Sequence, residues 1–546
     1  MHIFALCKPY LLSCKYALAV YIFLALTTVI ITILSPYILG DFIDNLIKGA
    51  DVYTILRFCL IFGGLGLFSI VKGYITSLLY VKIQNKMGYG FNKAVLRHIQ
   101  RASLSYINKK DIAYISSRVN NDANSLIGFC ISVLQSIITN AIMLVIPFIV
   151  LFMLNRFITL LMLLFLAVYL LLYFACKKLL YEAGLALRES QARFFAGLLE
   201  QLKYIKLIKA NAIQKEINQR ADEKFAEFDY AAKRSQKVNY LYTGMDGIIS
   251  TVAQIILFVV GGLQILNGNF TIGMFTIFTA YFNLMLRAAR YFYGLGASYQ
   301  QAMVSYSRIQ EILSQEPETY GTTVPNGINS IALHNVGFTY SKEDVKWVIH
   351  NFNATFVRGN MYAVVGANGA GKSTLVSLMM GLYVNEVAGK IDYNDISICN
   401  IDMNVVRKNY IGYAAQEPEL INDSIIYNLI YEDSKERIVS AHLNECIKIL
   451  NMADFLHKHG LDFEINEMNS NLSGGEKQKI AILAVLNKNP DVMIFDEPTS
   501  ALDSDTTTQF INYLHQIKKK KIIVIITHDV QIKHFCDEEI VLQPKV

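Results

Sequence analysis

Long apolar runs dominate the first 300 or so positions of this chain, and short runs with polar interruptions fill the remainder. The long runs cover roughly 17–39, 53–80, 128–153, 157–176, 244–266 and 272–296. Each is long enough to cross a bilayer as a helix of about 20 residues or more. A very apolar soluble helical domain is the alternative. Uncharged stretches such as FITLLMLLFLAVYLLLYFA argue against it. The two long connections, after the second and fourth runs, are polar but keep helical periodicity. LALRESQARFFAGLLEQLKYIKLIKANAIQKEINQRADEKFAEF has almost no breakers, so the spans are predicted to continue as helices beyond the membrane. Each long connection needs a turn, and Asn108–Ser116 and Lys209–Gln214 are the candidates. The opening MHIFALCKPYLLSCK is short and amphipathic and predicts an elbow helix on the membrane surface. No cleavage site follows the first run, which therefore reads as a start-transfer signal.

Charges between the spans set an expected orientation. The first loop carries Asp41, Asp44 and Asp51 against Lys48. The second is strongly basic, with Lys82, Lys86, Lys93, Arg97, Arg101, Lys109, Lys110 and Arg118, and the fourth is long and rich in Lys and Arg. Positive-inside counting puts both termini and both long loops in the cytosol, in a cell membrane and most simply a bacterial plasma membrane. Whatever follows the sixth span is then cytosolic too.

That following part begins after SQEPETYGTTVPNGINS, residues 314–330, which reads as a linker. The expected organisation is a membrane domain over 1–313, the linker, and an α/β domain over 331–546. In the α/β domain YAVVG predicts a strand and STLVSLMMGL a helix, with GANGAGKS between them. This is the G-x-x-x-x-G-K-[ST] phosphate loop in its required strand–loop–helix setting. Gly366, Asn368, Gly369, Ala370, Gly371, Lys372, Ser373 and Thr374 are the candidate positions around a polyphosphate. The glycines let backbone N–H groups close on it, and the helix start adds partial positive charge. Lys372 is expected to reach the β- and γ-phosphates and Ser373 to hold Mg²⁺. VMIFDEPTS is an apolar strand ending in two carboxylates. Asp496 is placed for the Mg²⁺ shell and Glu497 to polarise an attacking water. In LSGGEKQ, Ser473, Gly474 and Gly475 stand at an expected helix start and form a second anion-binding surface.

Composition narrows the picture only modestly. Of 546 residues 53% are hydrophobic and 17% charged, and the mean hydropathy is +0.34, too apolar for an ordinary soluble protein. The net charge of +6 is spread over loops and is not a nucleic-acid patch. Eight scattered cysteines show no C-x-x-C pair, so free thiols are expected.

Residues 331–546 resemble the ATP-binding cassette (ABC) ATPases, with LSGGEKQ similar to their signature motif. The resemblance implies several roles. Gln416, in YAAQEPEL, matches the Q-loop glutamine that contacts Mg²⁺ and the membrane domain. His528, in IIVIITHDV, matches the switch histidine. Asp503, closing SALD, matches the D-loop, and Tyr340, in GFTY, the aromatic that stacks on adenine. Departures are Glu476 where glutamine is commoner, Ala484 where an arginine often stands, and FEINEMN (463–469), which lacks the glycines of an exporter-type loop. Six spans ahead of one cassette resemble the exporter half-transporters. The fold class is therefore a polytopic all-α membrane domain of six transmembrane helices plus an α/β P-loop NTPase cassette, with ATP and Mg²⁺ as cofactors. The resemblance implies a homodimer in which each ATP lies between one P-loop and the opposite signature; a heterodimer with a degenerate partner is the alternative. The turns in the long loops would be coupling helices.

The cargo is less legible. The sixth span carries Phe275, Phe278, Tyr281, Phe282, Tyr291, Phe292 and Tyr293 together with Asn283, Arg287 and Arg290. One reading makes the aromatics lipid-facing or interfacial and lets the arginines snorkel. The other aims Arg287 or Arg290 into a central cavity, against an anionic group of an amphipathic cargo. A first span near residue 17 leaves no room ahead of it for a cysteine-protease domain, so a peptide cargo is expected to be processed elsewhere. A peptide or amphipathic-drug exporter is the leading expectation, with a lipid flippase or an ATP-gated channel or regulator as alternatives.

Overall fold

Every span predicted from the apolar runs is a helix in the computed structural model, and most run past the apolar stretch. The structure describes residues 2–110, 112–318, 320–340, 346–431, 441–466, 472–500 and 502–543. They divide into two compact units, one of 1–97 and 112–313 and one of 98–111 and 314–546.

In the first unit, α1 (His2–Ser13) precedes α2 (Lys15–Ile47) and α3 (Val52–Ile99). The short α4 (Leu104–Asn108) belongs to the other unit. α5 (Ile112–Ser117) leads through a π turn, Arg118–Asp122, into α6 (Ala123–Leu154). Then come α7 (Arg156–Lys203), α8 (Ile205–Ala210), α9 (Gln214–Leu266) and α10 (Ile272–Leu313). Six of these helices are long and apolar enough to cross a membrane. α2, α6 and α10 share a core in which Val29, Ile33, Leu151, Phe278 and Phe282 are buried. α7 and α9 pack chiefly along each other. The elbow helix α1 buries Ile3 and Cys7, and Phe4 meets Phe129 of α6. Asp44 accepts from the Thr271 hydroxyl at 2.6 Å and the Gly273 N–H at 2.7 Å, which satisfies donors at the start of α10.

Three expectations are corrected here. The aromatics of the sixth span are largely internal: Phe278, Tyr281 and Phe282 are buried, and Tyr281 donates to the Ile33 carbonyl at 2.6 Å. A phenol in an apolar core needs such a partner. The side chain of Tyr293 lies outside the described residues. The turns of the long loops begin earlier than predicted, with short helices at 104–108 and 205–210, and their non-helical residues 109–110 and 211–213 lie within the predicted 108–116 and 209–214. Ser103 caps the first of them by accepting from the Tyr106 N–H, and Ile112–Ser117 already belongs to the returning helix; Asp111 lies outside the described residues. The segment 314–330 is not a free linker. Thr323 N–H donates to the Asn400 carbonyl at 3.1 Å, the Asp402 N–H donates to the Thr323 carbonyl at 2.9 Å, and Ile328 is fully buried. Gly321 passes so close to Asn400 that a Cβ would lie 1.8 Å from its carbonyl carbon, and only glycine fits there.

The second unit holds two sheets. β1 (Ser330–Phe338), β2 (Ile349–Val357), β4 (Ala388–Tyr393) and β5 (Ile396–Ser397) form an antiparallel sheet ordered β2-β1-β4-β5. β3 (Met361–Gly366), β6 (Ile411–Ala414), β7 (Val492–Asp496), β8 (Ile522–Ile526) and β9 (Glu538–Leu542) form a parallel sheet ordered β6-β7-β8-β3-β9. β7 and β8 are buried at every position, as continuous apolar runs in a parallel sheet require. Helices between the strands include α11 (Lys372–Met379), α12 (Met403–Asn409), α13 (Ile425–Ile430), α14 (Ala441–Ile449), α15 (Ala453–His459), α16 (Gly474–Lys488), α17 (Ser504–Ile517) and α18 (Val530–Phe535). One core lies between the two sheets and a second between the parallel sheet and α13, α14, α16 and α17. Within this unit α4 sits on the α/β fold. Leu104 packs on the inter-sheet core, Ser105 donates to Glu386, and Asn108 donates to the Tyr383 hydroxyl at 3.4 Å.

Candidate nucleotide site

Parallel strands carry their chemistry at their carboxyl ends, and here the register brings four such ends together. Val364 of β3 and Asp496 of β7 both pair with Ile526 of β8, and Ala414 of β6 pairs with Phe495 of β7. Gly366 ends β3, and Gln416, Glu497 and His528 stand one or two residues beyond the other three ends.

From β3 the chain turns through the glycine loop into α11. Gly369 and Gly371 have φ of 79° and 94°, left-handed values that a side chain disfavours. Gly371 is also the cap of α11, so the orphan N–H groups of the helix start open onto the loop. The Lys372 ammonium donates to the Gly366 carbonyl at 2.8 Å and to His528 Nε2 at 2.8 Å. Lysine is donor-only, so Nε2 accepts in that contact. Asn368 is exposed at the loop tip, whereas Ala370 and Thr374 are buried beneath it. Thr374 Oγ1 lies 2.9 Å from the Tyr340 hydroxyl, which brings the aromatic to the side of the loop helix. Tyr340 stays half-exposed, edge-on to Phe338, and so offers a ring face.

Asp496 closes β7 and is buried, with Ser373 Oγ donating to its Oδ2 at 3.4 Å. Burial first and the neighbouring Glu497 charge second push its carboxyl above the ordinary range. A divalent cation would relieve that penalty, and Ser373, Asp496 and Gln416 offer the hard oxygen donors that Mg²⁺ takes. Tyr413 also faces Asp496; burial and then that carboxylate push its phenol up to about 12.

Glu497 has a φ of 45°, uncommon for a residue with a Cβ. Such strain persists only where the surroundings over-determine it. Its N–H donates to the Ile526 carbonyl at 2.9 Å, and its own carbonyl accepts from Gln478 Nε2 at 2.9 Å and Ser500 Oγ at 3.0 Å. Gln416 Nε2 donates to its carboxylate at 2.7 Å, and His528 Nε2 lies 3.6 Å from the other oxygen. Lys372, Ser373, Gln416, Asp496, Glu497 and His528 thus form one connected set. Gln478 and Tyr413 also belong to this site. Gln478 was visible only as the last letter of LSGGEKQ, and Tyr413 carried no signal of its own.

Ser473 caps α16 and, with Glu476, forms a reciprocal capping box. Glu476 Oε2 accepts from the Ser473 N–H at 2.7 Å and from its hydroxyl at 2.7 Å, and the Glu476 N–H returns to Ser473 Oγ at 3.3 Å. Among the described residues, no hydrogen bond joins Ser473, Gly474 or Gly475 to the phosphate loop of the same chain. Asp503 caps α17, accepting from Thr506 N–H and Oγ1 at 2.8 Å each; Ala501, within the same motif, lies outside the described residues. Residues 467–469 of FEINEMN also lie outside them.

A phosphate loop, a strand-end acid pair and a capped second glycine motif on a two-sheet α/β fold, on one chain with six membrane-length helices, define a membrane-bound nucleotide-driven machine. The family comparison agrees. Residues 18–289 match the ABC transporter transmembrane region, and residues 349–500 match the ABC transporter cassette. The lactococcin-G-processing and transport ATP-binding protein LagD of Lactococcus lactis is 27% identical over 93% of this chain and 72% of its own length. The alpha-hemolysin translocation ATP-binding protein HlyB of Proteus vulgaris is 29% identical over 63% of this chain, a match that spans 49% of HlyB. An ATP-dependent lipid A-core flippase of Syntrophus aciditrophicus is 24% identical over 95% of this chain and 85% of its own length. A bacterial Atm1-family ABC exporter solved with ATP bound superimposes with a TM-score of 0.82 at 19% identity, covering 98% of this chain and 95% of that one. The chain belongs to the ABC transporters and is of the exporter type, with a multi-pass membrane region and one ATP-binding cassette fused.

Proposed function

We propose that this protein exports an amphipathic peptide across the cytoplasmic membrane by alternating access, driven by ATP hydrolysis at two composite sites of a homodimer. The observation that carries the cargo class is the alignment with LagD over 93% of this chain. The basic loops next to α3, α7 and α9 support a cytosolic cassette, where ATP is. A homodimer is favoured because Glu497 and His528 are both present, so two copies make two competent sites. The opposite signature, Ser473–Gly475, would complete each site, with Asp503 beside it.

Bound Mg²⁺–ATP supplies the phosphoanhydride to be cleaved and neutralises charge on its phosphates. The glycine loop and Lys372 hold the β- and γ-phosphates. Ser373, Gln416 and Asp496 hold the metal, and Tyr340 offers its face to the adenine. Glu497 accepts the proton of the attacking water at its carboxylate, which Gln416 orients, with His528 beside it. Binding of two ATPs closes the cassettes before this step, α4 and α8 pass that motion to the spans, and hydrolysis resets them.

The lipid A-core flippase alignment, over 95% of this chain, favours lipid flipping as the second reading. Both readings predict that Glu497→Gln binds ATP but does not turn over. Wild-type hydrolysis by that variant would remove the catalytic assignment. Peptide accumulation in inside-out vesicles, with the Glu497→Gln protein as control, separates the two. ATP-dependent uptake of an amphipathic peptide supports export, and ATP-dependent lipid movement without peptide uptake supports the flippase.

A further inference from the structure

Membrane spans exclude charge unless it is paired or used. In α10 the two arginines differ. Arg290 is paired, with its guanidinium 2.8 Å from Asp246 of α9. Arg287 makes no ion pair or hydrogen bond among the described residues. It lies instead on the wall of a cavity of about 530 Å³ formed by α2, α3 and α10. Asn283, one turn away, also lines the cavity. Its Oδ1 accepts from Gln254 Nε2 at 3.3 Å, which leaves its amide nitrogen as a donor. Ser69 of α3 adds a hydroxyl, and Phe62, Leu65 and Leu284 supply apolar wall.

A second cation lies close by in sequence and structure. Lys72, one turn along α3 from Ser69, is 4% exposed, and its ammonium donates to Thr28 Oγ1 of α2 at 2.6 Å. Among the described residues it has no carboxylate partner, and no Asp or Glu lines the cavity. Two unneutralised cations beside one partly apolar cavity create a positive potential that the described residues of this chain do not cancel. A guanidinium fork matches a carboxylate in a bidentate way. The cavity volume is that of a small-ligand site. It fits the end of one extended chain rather than a bilayer lipid with two tails.

We propose that this cavity binds a carboxylate carried by an amphipathic peptide, with Arg287 as its direct partner and Lys72 sustaining the positive potential. The proposal rests on the export reading above and names the group that reading would recognise. The test uses full-length protein in phosphatidylcholine nanodiscs. The probes are an amphipathic 20-residue peptide with a free C-terminal carboxylate and no acidic side chain, its C-terminal amide, and nanodiscs doped with phosphatidylglycerol. Binding is read by fluorescence anisotropy and ATPase stimulation in parallel.

The acid form is expected to bind roughly 10- to 100-fold more tightly than the amide. Arg287→Gln abolishes that preference, and Arg287→Lys, which keeps the charge but loses the fork, restores only part of it. Lys72→Met reduces the preference without abolishing it. Equal binding of acid and amide by the wild type overturns the anion site while leaving peptide export intact. A preference unchanged in Arg287→Gln overturns the assignment of Arg287. No response to either peptide, with a phosphatidylglycerol response lost in Arg287→Gln, overturns both the peptide occupant and the export reading in favour of lipid.

Discussion

Gln478→Met tests whether the catalytic carboxylate is held in place from behind. Methionine has the same length as glutamine but cannot make either hydrogen bond. Gln478 is buried, donates to the Glu497 carbonyl at 2.9 Å and accepts from Ser500 Oγ at 3.3 Å. The carbonyl keeps its Ser500 donors after the substitution, at 3.0 Å from the hydroxyl and 3.3 Å from the N–H, so it is not orphaned. The stability loss is then that of two ordinary hydrogen bonds at most, about 1–2 kcal/mol. The rate should fall further than stability suggests. Glu497 sits at a φ of 45°, a conformation costing about 1–3 kcal/mol that its neighbours must impose. Letting that strain relax would move the carboxylate off the water-activating position. If the whole of it biases the competent conformer, kcat drops roughly 5- to 150-fold. Gln478 touches no phosphate-loop residue among the described contacts, so the KM for ATP should stay within about twofold. The assay is steady-state ATP hydrolysis in nanodiscs, with thermal unfolding alongside. Wild-type kcat, or a loss confined to KM, would refute the idea that Gln478 positions Glu497.

Three further outcomes follow from other contacts. Glu497→Gln should retain ATP binding in an equilibrium assay while hydrolysis falls by orders of magnitude, since its base is gone. Glu476→Ala should cost about 0.5–2 kcal/mol through loss of the capping box, read as a lower unfolding midpoint. Burial pushes the Glu476 carboxyl up, but the Ser473 N–H and hydroxyl outweigh it and hold it below the usual value of 4.5. Its stabilisation is therefore fully present above that value and fades as pH falls through the depressed one, so wild type and Glu476→Ala should converge in midpoint as pH falls below 4.5. Gly321→Ala should destabilise the cassette by about 1–3 kcal/mol or prevent its folding, because the new Cβ meets the Asn400 backbone. Unchanged thermal unfolding of that variant would contradict the close approach.

Much of this protein is written locally. An apolar run of membrane length can be satisfied only as a helix, so the six spans were legible without any tertiary contact. The glycine loop, the strand-end Asp496–Glu497 pair and the Ser473 cap are likewise local, because each needs particular residue types within a few positions. Other features depended on partners distant in the chain. Nothing in SQEPETYGTTVPNGINS shows that Thr323 will bond to Asn400 and Asp402, so a docked segment read as a linker. Nothing near Arg287 and Arg290 tells them apart, since Asp246, which neutralises only Arg290, lies over forty positions away on another helix. Gln478 became a support for Glu497, and Lys72 a buried cation beside a cavity, only when α16 met β7 and α3 met α2. Sequence determined the elements and the chemical groups they carry, because both obey short-range rules. Tertiary structure decided which groups are paired and which stay free, because pairing depends on distances that only packing sets.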